Sequence, residues 1–227
     1  MSLKRSNWPE GQLVTLEHVS TVLRDNPLGD PHVRKLHAWL PPQYHASGPR
    51  RRVPVLFDLA GFMGSGPAHL AWRGFEENVP ERLARLVHQK RMKPAIVVFP
   101  DCFTALGGNQ YINSSAIGRY ADYLTRELIP AIDQEFRTRA SRDSRGCFGK
   151  SSGGYGAIVH AMKYAGHWGA VANHSGDAYF DFLYRADWPN TLDELAKYRR
   201  PARTAGRYDT EKASAALKPG VDDGRVR

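Results

Sequence analysis

The stretch Arg145-Gly146-Cys147-Phe148-Gly149-Lys150-Ser151-Ser152-Gly153-Gly154-Tyr155-Gly156-Ala157 decides the fold. Its residues 149–153 form a G-x-S-x-G pentapeptide, whose central serine belongs on a sharp turn between a strand and a helix. A short apolar segment precedes the pentapeptide, and a small-residue helix continuing through Ile158, Val159 and Met162 follows it. A residue on such a turn is held in a strained conformation at the carboxyl edge of a sheet, and only glycines let the flanking strand and helix approach that closely. Ser151 is therefore the candidate nucleophile.

Upstream, residues 13–23 and 33–40 alternate loosely with period two, and Asn26-Pro27-Leu28-Gly29-Asp30-Pro31 supplies turn chemistry between them. An antiparallel hairpin is expected there. Two continuous apolar runs, 53–59 and 95–99, suit strands buried on both faces of a mostly parallel sheet. The first runs into the glycine-rich loop 60–67. A helix over 79–91, with Leu83, Leu86 and Val87 on one face, follows it. The second is stopped by Pro100-Asp101 and leads through a loop with Gly107 and Gly108 to a long helix over 117–136, striped by Tyr120, Leu124, Leu128 and Ile132. The strand entering the elbow, a helix over 152–164 and a last strand over 169–173 complete the alternation. The sequence thus predicts an α/β fold with helices on both faces of the sheet, and such sheets place ligands at the carboxyl ends of their strands. Residues 1–177 form the core in this reading. Residues 178–227, with helical fragments at 179–185, 192–198 and 210–217, read as an Arg-rich cap or insertion of the same domain.

At 227 residues one domain is the default. No run of about 18 apolar residues exists and no apolar segment follows the charged N-terminus, so a soluble, cytoplasmic chain without membrane partners is expected. Cys102 and Cys147 have no metal-ligand spacing and read as reduced structural thiols. The net charge of +9 is spread along the chain. Its short clusters, Arg50 to Arg52 and Arg137, Arg139, Arg142 and Arg145, lack interleaved aromatics, so a solvated face is favoured over a nucleic-acid footprint.

A serine hydroxyl needs a base, usually a histidine oriented by a carboxylate, and N–H donors for the oxyanion that forms on attack. In a strand-elbow-helix architecture the donors are the N–H after the nucleophile and one from the loop after the third strand, here Ser152 and Phe62.

The elbow Gly-Lys-Ser-Ser-Gly-Gly-Tyr-Gly-Ala resembles that of the esterase D-like branch of the α/β-hydrolases, which includes S-formylglutathione hydrolases, feruloyl esterases and mycolyltransferases. Val-Val-Phe-Pro-Asp (97–101), Gly-Gly-Asn-Gln-Tyr-Ile-Asn-Ser (107–114) and the helix over 120–132 resemble the family's segments before the elbow. The resemblance implies an acyl-serine mechanism on carboxylic esters or thioesters, with no metal and no organic cofactor. It also implies an acid and a histidine after Ser151, on loops following later strands. Only His160, His167 and His174 follow Ser151, the first two at structural positions, which leaves His174 and Asp177 as the candidates within this segment. The acid and base are otherwise expected outside it, in a chain cut short at its C-terminus, whose last strand would be an open edge inviting a second copy. Asp58 and Asp101 read as loop-orienting carboxylates, His69 as a residue bordering the pocket, and Lys150 as a packing or ion-pair residue. The competing readings are a non-catalytic binding module, an acyltransferase and, from the charge, a basic nucleic-acid binder.

Overall fold

The computed structural model describes residues 7–46, 48, 50–199 and 212. Contacts divide the chain into two compact units, Met1–Gly176 and Asp177–Arg227.

The first unit is built on a six-stranded sheet. Its strands are β1 (Gln12–Val19), β2 (Val33–Leu40), β3 (Val55–Leu59), β4 (Ile96–Phe99), β7 (Arg145–Lys150) and β8 (Ala170–His174), in the spatial order β1-β2-β4-β3-β7-β8. The first two form an antiparallel hairpin from Gln12 opposite Leu40 to Val19 opposite Val33, and β2 is antiparallel to β4. The other neighbours are parallel, so β3, β4, β7 and β8 carry their carboxyl ends to one edge. A separate two-stranded ribbon joins β5 (Asn113–Ser114) to β6 (Gly118–Arg119).

Period-two alternation divides the apolar strand residues between two layers. Val55, Phe57, Leu59, Ile96 and Val98 enter a core with Tyr120, Leu124, Leu128, Ile132 and Ala157. Leu56, Val97 and Phe99 face the other side, against Leu83, Ala84 and Val87 of the Val79–His88 helix. Helices therefore cover both faces, and the sheet is a mostly parallel one entered through an antiparallel hairpin, as the sequence predicts.

Three boundaries differ from expectation for identifiable reasons. The first strand ends at Val19 because the next residues turn onto a carboxylate. Glu127 accepts hydrogen bonds from Ser20 Oγ (2.5 Å), Thr21 N (2.8 Å), Thr21 Oγ1 (2.6 Å) and Val22 N (2.9 Å). Burial alone would raise the pKa of Glu127, but these donors outweigh it and hold the carboxyl below its usual range. The Val79–His88 helix starts on a capping box between Asn78 and Glu81 and stops early because Lys90 is left-handed (φ 59°). The long helix begins at Tyr120, after the ribbon, and its segment Tyr123–Leu128 widens into a π-helix in which Ile129 N–H reaches Leu124 O. Pro130, next in line, has no N–H to donate, and a widened turn ahead of it avoids the clash of its ring with the preceding carbonyl.

In the second unit, Phe180–Leu183, the turn Arg185–Asp187 and Trp188–Ala196 are helical, and none of their residues is buried. The fragment expected over 210–217 lies outside the described residues apart from Lys212.

Candidate active site

Strand β7 ends at Lys150, the helix Ser152–Lys163 begins at Ser152, and Ser151 alone makes the turn between them. Its backbone sits at φ 56°, ψ −122°, a region that L-residues rarely adopt and that costs about 1–3 kcal/mol. Neighbouring contacts enforce this conformation. Ser151 N–H donates to His174 O (3.1 Å), and Tyr155 N–H donates to Ser151 O (3.0 Å).

The two glycines of the pentapeptide are needed for space. A Cβ at Gly149 would lie 2.5 Å from the Leu59 oxygen and from the Gly153 backbone, and one at Gly153 would overlap Leu59 O outright. The elbow is thus wedged against the end of β3. That wedge brings in the next residues of the β3 loop, since a Cβ at Gly61 would lie 3.7 Å from Ser151 Cβ. The Phe62 N–H, on the peptide that follows Gly61, therefore belongs to the same edge as Ser151. Ser152, buried as the first residue of the helix, aims its N–H out of the helix N-terminus, where the helix dipole also favours negative charge.

The loop carrying Phe62 is fixed at three successive carbonyls. Tyr111 Oη donates to Ala60 O (2.7 Å), Gly64 N–H to Gly61 O (3.0 Å) and Gly108 N–H to Phe62 O (2.7 Å). Tyr111 is itself unusual. It is left-handed (φ 58°), buried, and its N–H donates to Asn109 Oδ1 (2.6 Å), while Asn109 Nδ2 donates to Cys102 O (2.5 Å). Burial, and then the nearby Cys102 and Asp58, push the Tyr111 phenol well above its ordinary range, so it stays a protonated donor. Its ring packs on Gly156, where a Cβ would come within 2.8 Å. The loop over 102–111 thereby ties the loop over 60–65 to the elbow helix. Tyr111, Asn109 and Gly108 carry this function although nothing in their sequence positions singled them out; the only signal was the resemblance of the 107–114 loop.

His160 belongs to the same scaffold. It is fully buried, its Nε2 lies 2.8 Å from Tyr111 O and its Nδ1 accepts from Trp168 Nε1 (3.0 Å), which requires the neutral tautomer with hydrogen on Nε2. Burial pushes its basicity down. His167, at the far end of the helix, accepts through its carbonyl from Arg145 Nη1 (3.2 Å). Both are structural.

His69 and Asp58 come together, which the sequence did not announce. His69 Nδ1 lies 2.6 Å from Asp58 Oδ2, with the carboxylate buried and the imidazole about one-third exposed. The hydrogen bond to Asp58 raises the basicity of His69 against the opposing effect of burial. His69 sits on the turn Gly66–Leu70, which packs on the end of β4, since a Cβ at Gly66 would lie 2.6 Å from Phe99 and Pro100 backbone atoms. Strand β4 lies on the side of β3 away from β7, so this pair braces the loop over 60–65 from behind. Asp101 also orients a loop: it accepts from Phe103 N–H (3.1 Å) and from Arg34 Nη1 (3.4 Å).

His174 contributes its carbonyl to the elbow, and its register partner is Lys150. Its imidazole is exposed and makes no hydrogen bond to any described residue. Asp177 opens the second unit, where burial and then its charge push the Tyr184 phenol up. Cys102 and Cys147 are free, buried thiols, the latter pushed up by burial to about 12. No helix among the described residues is long and apolar enough to cross a membrane.

Comparison with known proteins accords with this geometry. Residues 31–181 match the sequence model of the family described as Putative esterase. The chain belongs to that family. This esterase-family protein is 34% identical over 159 residues to the Mycobacterium tuberculosis protein named Esterase Rv1288, an overlap of 66% of this chain and 31% of the relative. It thus spans about a third of that relative's length, 31%. Among solved structures it resembles a ferulic acid esterase (TM-score 0.61, 20% identity, 92% of this chain and 76% of the other). It also resembles an S-formylglutathione hydrolase from Agrobacterium tumefaciens (TM-score 0.52, 21% identity, 75% and 60% covered). Likeness at these identities establishes the fold, that of the α/β-hydrolases.

Proposed function

We propose that this esterase-family chain carries the nucleophile and oxyanion site of a serine esterase acting on carboxylic esters or thioesters. The single observation behind this reading is the conformation of Ser151: a non-glycine residue at φ 56°, ψ −122°, wedged between Gly149 and Gly153 against the end of β3. Strain of this kind persists only where surrounding contacts over-determine it, and it has a use when the side chain must project from the sheet edge.

In the proposed reaction Ser151 Oγ attacks the acyl carbonyl carbon, and the carbonyl π-bond electrons move onto oxygen. The Phe62 and Ser152 N–H groups stabilise that oxyanion, a donor of this type being worth about 3 kcal/mol. Collapse of the tetrahedral species expels the alcohol or thiol and leaves an acyl-serine, which water then hydrolyses. The serine proton goes to a histidine base oriented by a carboxylate, and the histidine then hands it to the departing alcohol or thiol.

Labelling by a fluorophosphonate, together with hydrolysis of a short p-nitrophenyl ester, tests the reading. Both are expected from the parent chain and absent from Ser151→Ala. Equal ester turnover by the two proteins would eliminate the proposal.

A further inference from the structure

Two arginine-rich stretches lie far apart in the sequence, Arg50-Arg51-Arg52 and the segment containing Arg137 and Arg139. The fold stitches them together. Val53 forms a parallel bridge with Thr138; Val53 N–H donates to Arg137 O (3.0 Å), and Arg139 N–H donates to Val53 O (2.8 Å). A third segment joins them, because Ile96 N–H donates to Pro54 O (2.9 Å) and so sets Lys93 and Pro94 beside Arg52 and Pro54. The result is a depression of about 150 Å³ whose lining includes Arg51, Arg52, Lys93 and Arg139. It lies at the amino ends of β3 and β4, the sheet edge opposite Ser151.

Several arginines of the first unit are compensated by a neighbouring carboxylate. Arg85, Arg119, Arg126 and Arg145 each have a carboxylate partner. Among the described residues, none of the four cations of the depression pairs with a carboxylate, and no acidic residue lines it. Two of the guanidinium groups are held by a single bond to backbone: Arg52 Nη1 donates to Thr138 O (3.0 Å) and Arg139 Nε to Arg52 O (3.2 Å). Each keeps further N–H donors for a ligand, in the planar fork that matches phosphoryl oxygens. The floor is stiff, made by buried Val53 with Pro54 and Pro94. Four uncompensated cations around one hollow repel each other, and a compact multivalent oxyanion would offset that repulsion. The volume suits one or two phosphoryl groups. No aromatic side chain lines the hollow to stack a base, which disfavours a nucleic-acid strand.

We propose that this depression is a phosphoryl-binding site for a small phosphorylated or diphosphorylated ligand, separate from the ester site and independent of it. Inorganic pyrophosphate titrated calorimetrically into the full chain at fixed ionic strength is the probe. The expected result is saturable binding at one site per chain. Charge-assisted bonds of this kind predict that Lys93→Gln and Arg51→Gln each weaken it roughly tenfold. Neither side chain has a hydrogen-bond partner among the described residues, so both variants should melt with the parent. Arg82→Gln, on the exposed side of the Val79–His88 helix, and Ser151→Ala should bind as the parent does, the latter keeping this result apart from any failure of the esterase reading. Absence of saturable binding would overturn the proposal, as would an equal loss in Arg82→Gln. Binding to duplex DNA or to phosphatidylglycerol vesicles without binding to pyrophosphate would also overturn it, replacing a small-ligand site with an extended anionic surface.

Discussion

His69 Nδ1 lies 2.6 Å from Asp58 Oδ2, a contact between residues eleven positions apart that closes the loop carrying the Phe62 N–H. Asp58 is the penultimate residue of β3, and His69 lies on the turn that packs on β4, so the bond ties both ends of the loop over 60–65 to the sheet. It is a brace whose strength depends on the charge of His69.

The first prediction concerns pH. The Asp58 hydrogen bond raises the basicity of His69 in the folded state, against burial and the nearby Arg73 charge. A group of this sign gives stability that is complete below the unfolded value, about 6.5, and is lost as pH rises through the higher folded value. His160 has the opposite sign, because burial lowers it; its contribution is complete above about 6.5 and is lost as pH falls below that. Stability should therefore be greatest near pH 6.5. Asp58→Asn should flatten the alkaline limb alone and cost about 1–3 kcal/mol at pH 6. Denaturant unfolding from pH 5 to 8.5 measures both; an unchanged alkaline limb in Asp58→Asn would assign it to another group.

A second prediction follows from the wedge at the elbow. Gly153→Ala places a methyl group on the Leu59 carbonyl, where only backbone can yield. Overpacking against rigid neighbours costs about 1–3 kcal/mol, and more when main chain must shift. The variant should lose at least that much by chemical denaturation. Gly166→Ala, whose Cβ meets nothing within 4 Å, should differ little and serves as the control.

Much of this was legible beforehand because it is local. The continuous apolar runs 53–59 and 95–99 and the stripe Tyr120, Leu124, Leu128, Ile132 are written in the sequence, and the pentapeptide carries its own turn. What escaped was non-local. Tyr111 donating to Ala60, His69 meeting Asp58 and Glu127 collecting the donors of residues 20–22 depend on how loops return over the sheet edge. No periodicity encodes those returns. The two arginine clusters read as separate solvated loops because their meeting rests on one bridge, Val53 with Thr138, between segments more than eighty residues apart.

The third prediction isolates the Tyr111 clamp. Tyr111→Phe keeps the ring on Gly156 and removes only the donor to Ala60 O, a buried bond of 2.7 Å. Loss of one such bond should cost about 1–2 kcal/mol of stability. If the bond also positions the Phe62 N–H, fluorophosphonate labelling of Ser151 should slow roughly tenfold, since a displaced oxyanion donor weakens stabilisation of developing charge. A stability loss with an unchanged labelling rate would limit Tyr111 to a structural role.

The last prediction turns on the backbone of Ser151 itself. At φ 56°, ψ −122° a side chain is strained whatever its chemistry, so Ser151→Ala keeps the strain and should stay within about 0.5 kcal/mol of the parent. Ser151→Gly removes the Cβ that makes this region costly. The relief, about 1–3 kcal/mol, exceeds the extra entropy that glycine loses on folding, about 0.5–1 kcal/mol. Ser151→Gly should therefore unfold at higher denaturant concentration than Ser151→Ala, by a margin of about 1 kcal/mol, although both lack the hydroxyl. That ordering would show that the elbow stores energy to hold a nucleophile outward. The reverse ordering would mean that the turn is unstrained and that the conformation carries no functional signature.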